Sequence, residues 1–479
     1  NDGRGRGREA RGDGGSQRRG GDADTFHTDV PAHDLDVVLA EPTRTSIRVT
    51  LGSSRACEAL VEYARAGDER RVRTPVVELA PGRVVPIDVG GLEPDAEYRY
   101  RVVTRVAGEP EHTGDERAFH TRRAAGSAFT FTITADSHLD SNVEPDVFVR
   151  TLDNVRADQP DFHVDLGDTF MTDKRRDFHA AAAQYDAQRW YFGRIGAQAP
   201  LFLALGNHDG EAGYAAGPGS IGAWSYELRT QRFPPPRIGD TYSGRTSFEQ
   251  GRGANWFAFT WGDALLVVLD PFWPTTERVR GSDAKEGFTD GSWARTLGRE
   301  QYDWLASTLA TTRARHRFVF THHLVGGRGR EARGGAESAP YFEWGGKNAD
   351  GSDGFAKQRP GWPMPIHALL VKYGVEAVFH GHDHLFVHGE LDGIVYQCVP
   401  QPGNPLGGTR SAAEYGYVGG TILGSPGHLR VRVTPDAATI EFVRAALEEA
   451  SGRGGERELN GSVVHAYTLR PRAATKDRK

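Results

Sequence analysis

Alternation of apolar and polar residues divides the chain in two. Between 33 and 123, six short runs (LDVVLA, SIRVTL, ALVEYA, VRTPVVEL, RVVPIDV and EYRYRVVTRV) are separated by turn residues. They repeat apolar side chains at every second place, as in Ile47, Val49 and Leu51 or Tyr98, Tyr100 and Val102. That period predicts half-buried antiparallel strands, a small all-β sandwich. From 127 the period changes. Strand-like stretches rich in Phe, Val, Leu and Ile (FTFTITA, DFHVDL, PLFLAL, HRFVFT and VEAVFH) now alternate with stretches of helical spacing. One stretch sets Val147, Phe148, Leu152 and Val155 on a single face, an Ala-rich one covers 177–195, one near 299–312 aligns Tyr302, Leu305 and Leu309, and PIHALLVKY is the last. Strands alternating with helices predict an α/β fold (α+β layers), a β-sandwich flanked by helices. NWFAFTWG and DALLVVLD predict a hairpin about Gly262-Asp263. The chain then returns to strands with IVYQCV, LRVRVT, TIEFVRA and VVHAYTL, expected on the second sheet of the same domain, 127–470.

Residues 1–32 are Gly, Arg and Asp with almost nothing apolar, so they predict a disordered tail, and 471–479 predict a polar one. Arg11-Gly12-Asp13 is a coincidence of that composition. Three long connections rich in Gly and aromatic residues, 210–254, 271–298 and 324–364, follow strand ends and should crowd one edge of the layers. They carry Trp224, Tyr226, Trp273, Trp293, Tyr341, Trp344 and Trp362. In the first region, Gly91 to Tyr98 (GLEPDAEY) resembles the turn and tyrosine corner of fibronectin type III domains. That implies a packing or positioning module.

Composition narrows the classes. A net charge of −6 gives no electrostatic case for nucleic acid as the main partner. With 38% hydrophobic residues and no apolar run near the ~20 residues of a membrane helix, no membrane span is expected. Two cysteines, Cys57 and Cys398, in different regions exclude a disulfide scaffold and a thiolate zinc site, and both read as small buried residues. The chain begins at Asn1 without Met. This suits a mature form whose leader was removed, or a trimmed piece, and the expected location is extracellular or periplasmic.

The candidate chemistry lies where the apolar runs stop. Asp136-Ser137-His138 follows FTFTITA, Gly167-Asp168 follows DFHVDL, Gly206-Asn207-His208-Asp209 follows PLFLAL, His322-His323 follows HRFVFT, and Gly381-His382-Asp383-His384 follows VEAVFH. Ligands bind beyond the carboxyl ends of strands in open α/β sheets, so the five stretches read as one site for two metal ions. Carboxylates, an amide and imidazoles without thiolate suit Fe, Mn, Zn, Co or Ni. Two ions need a short bridging carboxylate, and Asp168 on its Gly turn is the candidate.

The ordered set D-x-H, G-D, G-N-H-D, H and G-H-x-H resembles the calcineurin-like metallophosphoesterases over about 127–445, with the hairpin and the QYDWL helix as minor matches. The resemblance implies a metal-dependent phosphoester hydrolase acting on a small phosphomonoester or phosphodiester through a metal-bound hydroxide. By the same resemblance, Asp136, His138, Asp168 and His384 hold one ion, and Asp168, Asn207, His322 and His382 the other. His322 is preferred to His323 because the family's ligand is the first of the pair, although Leu324 stands where Pro is usual. His208 is placed to protonate the leaving oxygen or to stabilise the transition-state charge, and Asp209 to orient it, with helix capping as the bland alternative for Asp209. How His382 and His384, one residue apart, could serve different ions is left open by the pattern.

The preceding sandwich is similar to purple acid phosphatases, but Met171 stands at the place of their colour-giving tyrosine and His138 can fill that position. Iron-loaded protein should therefore lack a tyrosinate-to-iron absorption band. His163, His179, His316 and His388 read as structural, while Arg245, Arg328 and Arg330 read equally as phosphate grips or surface charges. Two alternatives stay open: nucleotide or cyclic-nucleotide hydrolysis with loop aromatics on the base, and a non-catalytic surface or assembly protein retaining the fold. The second predicts lost ligands, and apart from the Tyr-to-Met exchange none is lost.

Overall fold

In a computed structural model the described residues are 26–279, 290–329, 331–447 and 459–474. Two mixed sheets face each other. The first runs in the order 201–203, 162–165, 129–134, 427–433, 438–444 and 463–469; its first three strands are parallel and the others antiparallel. The second runs 243–245, 256–261, 264–268, 316–321, 377–380, 394–398, 385–391 and 421–424. Phe131, Ile133, Phe162 and Phe202 meet Phe259, Phe318, Phe320 and Phe379 between them, all buried. Strands buried on both faces read as continuous apolar runs because helices cover their outer sides. Pro145–Ala157 and Ala182–Gly196 cover the first sheet, and Gly298–Thr311 and Ile366–Lys372 the second.

The hairpin forms between Trp256–Trp261 and Ala264–Val268. The C-terminal strands do not all join the second sheet as expected. Ile394–Cys398 does, but Gly427–Val433, Ala438–Arg444 and Val463–Leu469 extend the first sheet antiparallel to Phe129–Thr134. Alternation reports that a face is buried and not against which sheet.

Ahead of these layers, 35–40, 46–53 and 84–90 form one small sheet, and 57–65 and 97–105 with short partners form another. Between them Val49, Leu51, Val61 and Tyr100 are buried. Tyr98 Oη accepts from Glu93 N at 2.8 Å, the corner read from GLEPDAEY. The Arg189 guanidinium, buried, donates to Thr50 O at 3.1 Å and ties this β-rich region to the helix 182–196. Within residues 26–32, assigned to a tail, Phe26 is buried and His27 N donates to Leu139 O at 2.7 Å. The rest of that tail with Arg11-Gly12-Asp13, residues 475–479 and Arg330 lie outside the described residues. No helix among the described residues is long and apolar enough to cross a membrane.

The long connections have cores of their own. Ile221–Arg232 is helical, Trp273 and Trp293 are buried, and Trp344 is fully buried with its indole N–H on Tyr396 Oη at 2.9 Å. Trp224, Tyr226, Tyr341 and Trp362 are half-buried. Loops of such length hold shape only by burying their own side chains, and these rings serve that packing.

Candidate metal centre

Strand register sets the site. Thr134 pairs with Asp165 and Asp165 with Leu203, so three neighbouring turns leave the first sheet side by side. Thr321 pairs with His380 in the second sheet, placing His322 and Gly381-His382 alongside one another. Backbone bonds stitch the turns together: Asp136 N to Gly167 O at 3.0 Å, His138 N to Asp168 O at 3.2 Å, Gly381 N to His322 O at 3.0 Å.

Beyond the strands the backbone enters a region that L-residues avoid. Asp136 (φ 60°), His138 (32°), Asp168 (54°), His382 (75°) and His384 (58°) are all left-handed. Each such residue costs on the order of 1 kcal/mol, sustained by the surrounding packing. This backbone explains the divergence of His382 and His384. Left-handed turns at both break the extended path, so two imidazoles one residue apart reach different neighbours.

Two groups of side chains result: Asp136, His138 and His384 in one, Asp168, His322 and His382 in the other. In the first, Asp136 Oδ1 lies 3.7 Å from His138 Nε2 and 3.4 Å from His384 Nε2. In the second, His322 Nε2 lies 3.3 Å from Asp168 Oδ2, 3.2 Å from His382 Nδ1 and 3.0 Å from Asn207 Oδ1. Ligand atoms ~2.1 Å from a tetrahedral ion sit about 3.4 Å apart, the spacing seen here. Asp168 Oδ2 is also 3.7 Å from His138 Nε2, so one oxygen faces both groups.

The other ends of Asp136, Asp168, His322, His138 and His382 are held from behind. Asp136 Oδ2 accepts from His382 N at 2.8 Å, and Asp168 Oδ1 from His208 N at 2.7 Å. His322 Nδ1 meets Leu166 O at 2.9 Å, His138 Nδ1 meets Asp140 Oδ2 at 3.3 Å, and His382 Nε2 bonds to Glu331 O. Each of these three imidazoles thus turns its remaining nitrogen to the centre, the usual arrangement around a metal. The glycines permit close approach: a Cβ on Gly206 would lie 2.2 Å from Asp168 Oδ1, and one on Gly381 2.8 Å from Asp136 Oδ2.

Charge is arranged to match. Burial pushes the Asp136 carboxyl up, yet His384 and His138 hold it below the ordinary carboxylate range. Burial likewise raises Asp168, and His322 and His208 outweigh it. His322 is lowered by burial but carried up to about 9 by Asp168, so loading a cation there must expel a proton. His382 is pushed down by burial and by Arg333. Asp136 Oδ1 and His138 Nε2 are buried without a hydrogen-bond partner in the protein. Such atoms are costly unless satisfied, and a cation between them would satisfy both, so the donor set fits metal ions.

Residues 129–386 match the sequence model of the calcineurin-like phosphoesterases. The chain belongs to that family. Membership makes it a metal-dependent phosphoester hydrolase by class. Its overall architecture is similar to PhoD, with TM-score 0.63 and 16% identity over 91% of this chain and 90% of that one. It is also similar to purple acid phosphatase PPD1 from seeds of yellow lupin (Lupinus luteus), with TM-score 0.60 and 16% identity over 91% and 74%. At such identity the likeness speaks for the fold alone. No curated protein matches the chain.

In this phosphoesterase the role expected of Asp209 is not the observed one. Its carboxylate accepts four backbone N–H groups, from Gly206 at 2.7 Å, Asp168 at 3.1 Å, Thr169 at 2.8 Å and Phe170 at 2.9 Å. It locks two turns together and does not touch His208. Burial, then the Asp168 charge, push its carboxyl up to about 6. His208 Nδ1 instead meets Asp173 Oδ1 at 2.8 Å. Asp173 looks like any polar turn residue in the sequence, and only its spacing after Asp168 could have flagged it. His323 stays outside both groups, with Nδ1 3.2 Å from Leu324 O and its ring on Phe272. Met171 is buried at the start of the turn carrying Asp173.

The remaining candidates lie elsewhere. His163 sits between Thr132 and Thr134, His316 between Glu376 and Thr434 O, His388 against His465, and His179 against Trp224. Arg245 pairs with Glu300 at 2.8 Å, and Arg328 exchanges backbone bonds with Arg333. Arg333, not singled out in the sequence, donates to His382 O and to Asp383 Oδ1, the latter at 3.2 Å. Cys57 is half-buried and Cys398 buried, both free.

Beneath the Asp168 turn, Asp165 accepts from Thr134 Oγ1 and Thr169 Oγ1 at 2.8 Å each and from Gly167 N at 3.2 Å. Burial outweighs these bonds and lifts its carboxyl from 3.8 to about 7. The folded protein therefore keeps a proton that the unfolded chain releases, and this group's stabilisation is complete below about pH 4 and lost as pH rises to about 7. Across that window the parent should lose ~1.4 kcal/mol per pH unit relative to Asp165→Asn. Urea unfolding at several pH values checks this; parallel stability curves would count against it.

Proposed function

We propose that the chain is a dinuclear metal-dependent phosphodiesterase, with Asp136, His138, Asp168 and His384 holding one cation and Asp168, Asn207, His322 and His382 the second. The observation that carries the reading is Asp168 Oδ2, 3.3 Å from His322 Nε2 and 3.7 Å from His138 Nε2. Divalent or trivalent ions held by these residues would supply Lewis-acid polarisation of a phosphoryl oxygen and a lowered pKa for the attacking water. Asn207 Oδ1 faces His322, leaving its amide N–H groups to orient a phosphoryl oxygen. His208, its Nδ1 held by Asp173, delivers the proton to the departing alkoxide from Nε2.

A diester is favoured over a monoester by the ground next to His384. A cavity of about 450 Å³ opens there, lined by Asn142, Glu144, Asp383, Asn404, Leu406 and Tyr415 among others, with no Lys or Arg. It offers room for a second, uncharged ester substituent, and the Arg333 guanidinium beside it is engaged by Asp383 Oδ1 and the Tyr415 ring. Trp273, Trp293 and Trp344 are buried in loop packing, which weighs against base stacking by these three. With Mn, Fe, Zn or Co supplied, bis(4-nitrophenyl) phosphate should show the larger kcat/KM against 4-nitrophenyl phosphate. A preference for the monoester would overturn the diester assignment.

A further inference from the structure

We propose that Phe26 and His27 are positioning residues, a strap joining the turn that carries His138 to the turn that carries Asp173; the inference rests on the roles given above to those two side chains. His27 N donates to Leu139 O at 2.7 Å, and Leu139 is the residue after His138. Leu139 is buried and left-handed (φ 59°), and Asp140 beyond it bonds His138 Nδ1. The turn belongs to no helix or strand, so few backbone bonds hold it: His138 N to Asp168 O, Leu139 N to Ser137 O, Val143 N to Asp140 O, and this one from His27.

The same segment reaches the second turn through Phe26. Its ring is buried, and the Arg175 guanidinium lies 4.0 Å from the ring centroid. Arg175 closes the short helix Thr172–Lys174 that contains Asp173, the partner of His208. Two residues on, Thr28 N turns back to Phe26 O at 2.9 Å, and Val30 packs against the cluster containing Leu139, Val143 and Phe170. One segment of five residues thus touches both a metal-ligand turn and the turn behind the proton donor, which lie more than 30 positions apart in the chain. A left-handed residue such as Leu139 relaxes unless its neighbours hold it, and its relaxation would swing His138.

Phe26→Ala and His27→Pro, the latter removing the N–H, test this in the full chain. Both should weaken Mn binding by roughly 10–100-fold and lower kcat more than they raise KM, since displaced supports of a ligand act on that scale. Thermal unfolding should stay near the parent's, and Phe26→Tyr, which keeps the ring under Arg175, should restore parental values. Hydrogen exchange of residues 138–142 should quicken in His27→Pro. If the parent binds Mn and turns over while Phe26→Ala and His27→Pro match it, the strap is wrong. If the parent binds none of Mn, Fe, Zn or Co, the metal assignment fails by itself, and unchanged exchange at 138–142 would still refute the strap.

Discussion

Asp168→Ala is expected to lower kcat/KM for an aryl phosphodiester by about a thousandfold or more, near 4 kcal/mol of transition-state stabilisation. The expectation follows from the position of Oδ2, which lies 3.3 Å from His322 Nε2 and 3.7 Å from His138 Nε2, closer to the opposite group than Asp136 Oδ1 at 4.0 Å from His322 Nε2. Its removal takes one donor from each group at once, whereas His384→Ala removes a donor from one. Bound metal should therefore fall toward zero in Asp168→Ala and toward one equivalent in His384→Ala. Elemental analysis after desalting, beside far-UV circular dichroism to show an intact fold, reads both. Two equivalents retained by Asp168→Ala would mean that this carboxylate is not shared.

His208→Ala should behave in the opposite sense. Metal content stays at the parental level, because the His208 ring belongs to neither donor group. Turnover falls by about 10²–10⁴-fold for a diester with an alkyl leaving group, which needs a proton. For bis(4-nitrophenyl) phosphate the loss should be much smaller, since nitrophenolate departs without one. Asp173→Asn leaves Nδ1 without its carboxylate and should reproduce the leaving-group dependence at about a tenth or less of the size, of order 10–100-fold. Equal losses for both leaving groups would assign His208 to charge stabilisation instead.

The parts of this molecule visible in the sequence are those dictated by burial. FTFTITA, DFHVDL and VEAVFH are dominated by Phe, Val, Ile, Leu and Ala because sheets and helices enclose them on both sides, and their strands form where the runs lie. The residues that close those runs were legible for the same reason, since a strand end is where polar groups first reach the edge. What was not legible depends on contacts between distant segments. Asp209 and Asp173 are both carboxylates near His208, and only the fold shows that backbone amides claim the first while the imidazole claims the second. The divergence of His382 and His384 is a matter of backbone angle that no residue type announces. The loop tryptophans looked like substrate contacts because a long loop near a site suggests one, yet Trp344 is spent on packing against Tyr396. Phe26 was hidden in a composition that reads as tail.

Anomalous diffraction from crystals of the Mn- or Zn-loaded protein addresses the shared carboxylate most directly. Two peaks ~3.5–4 Å apart on either side of Asp168 Oδ2 are expected, one among Asp136, His138 and His384, the other among Asn207, His322 and His382. A single peak, or peaks with Asp168 touching only one of them, would contradict it.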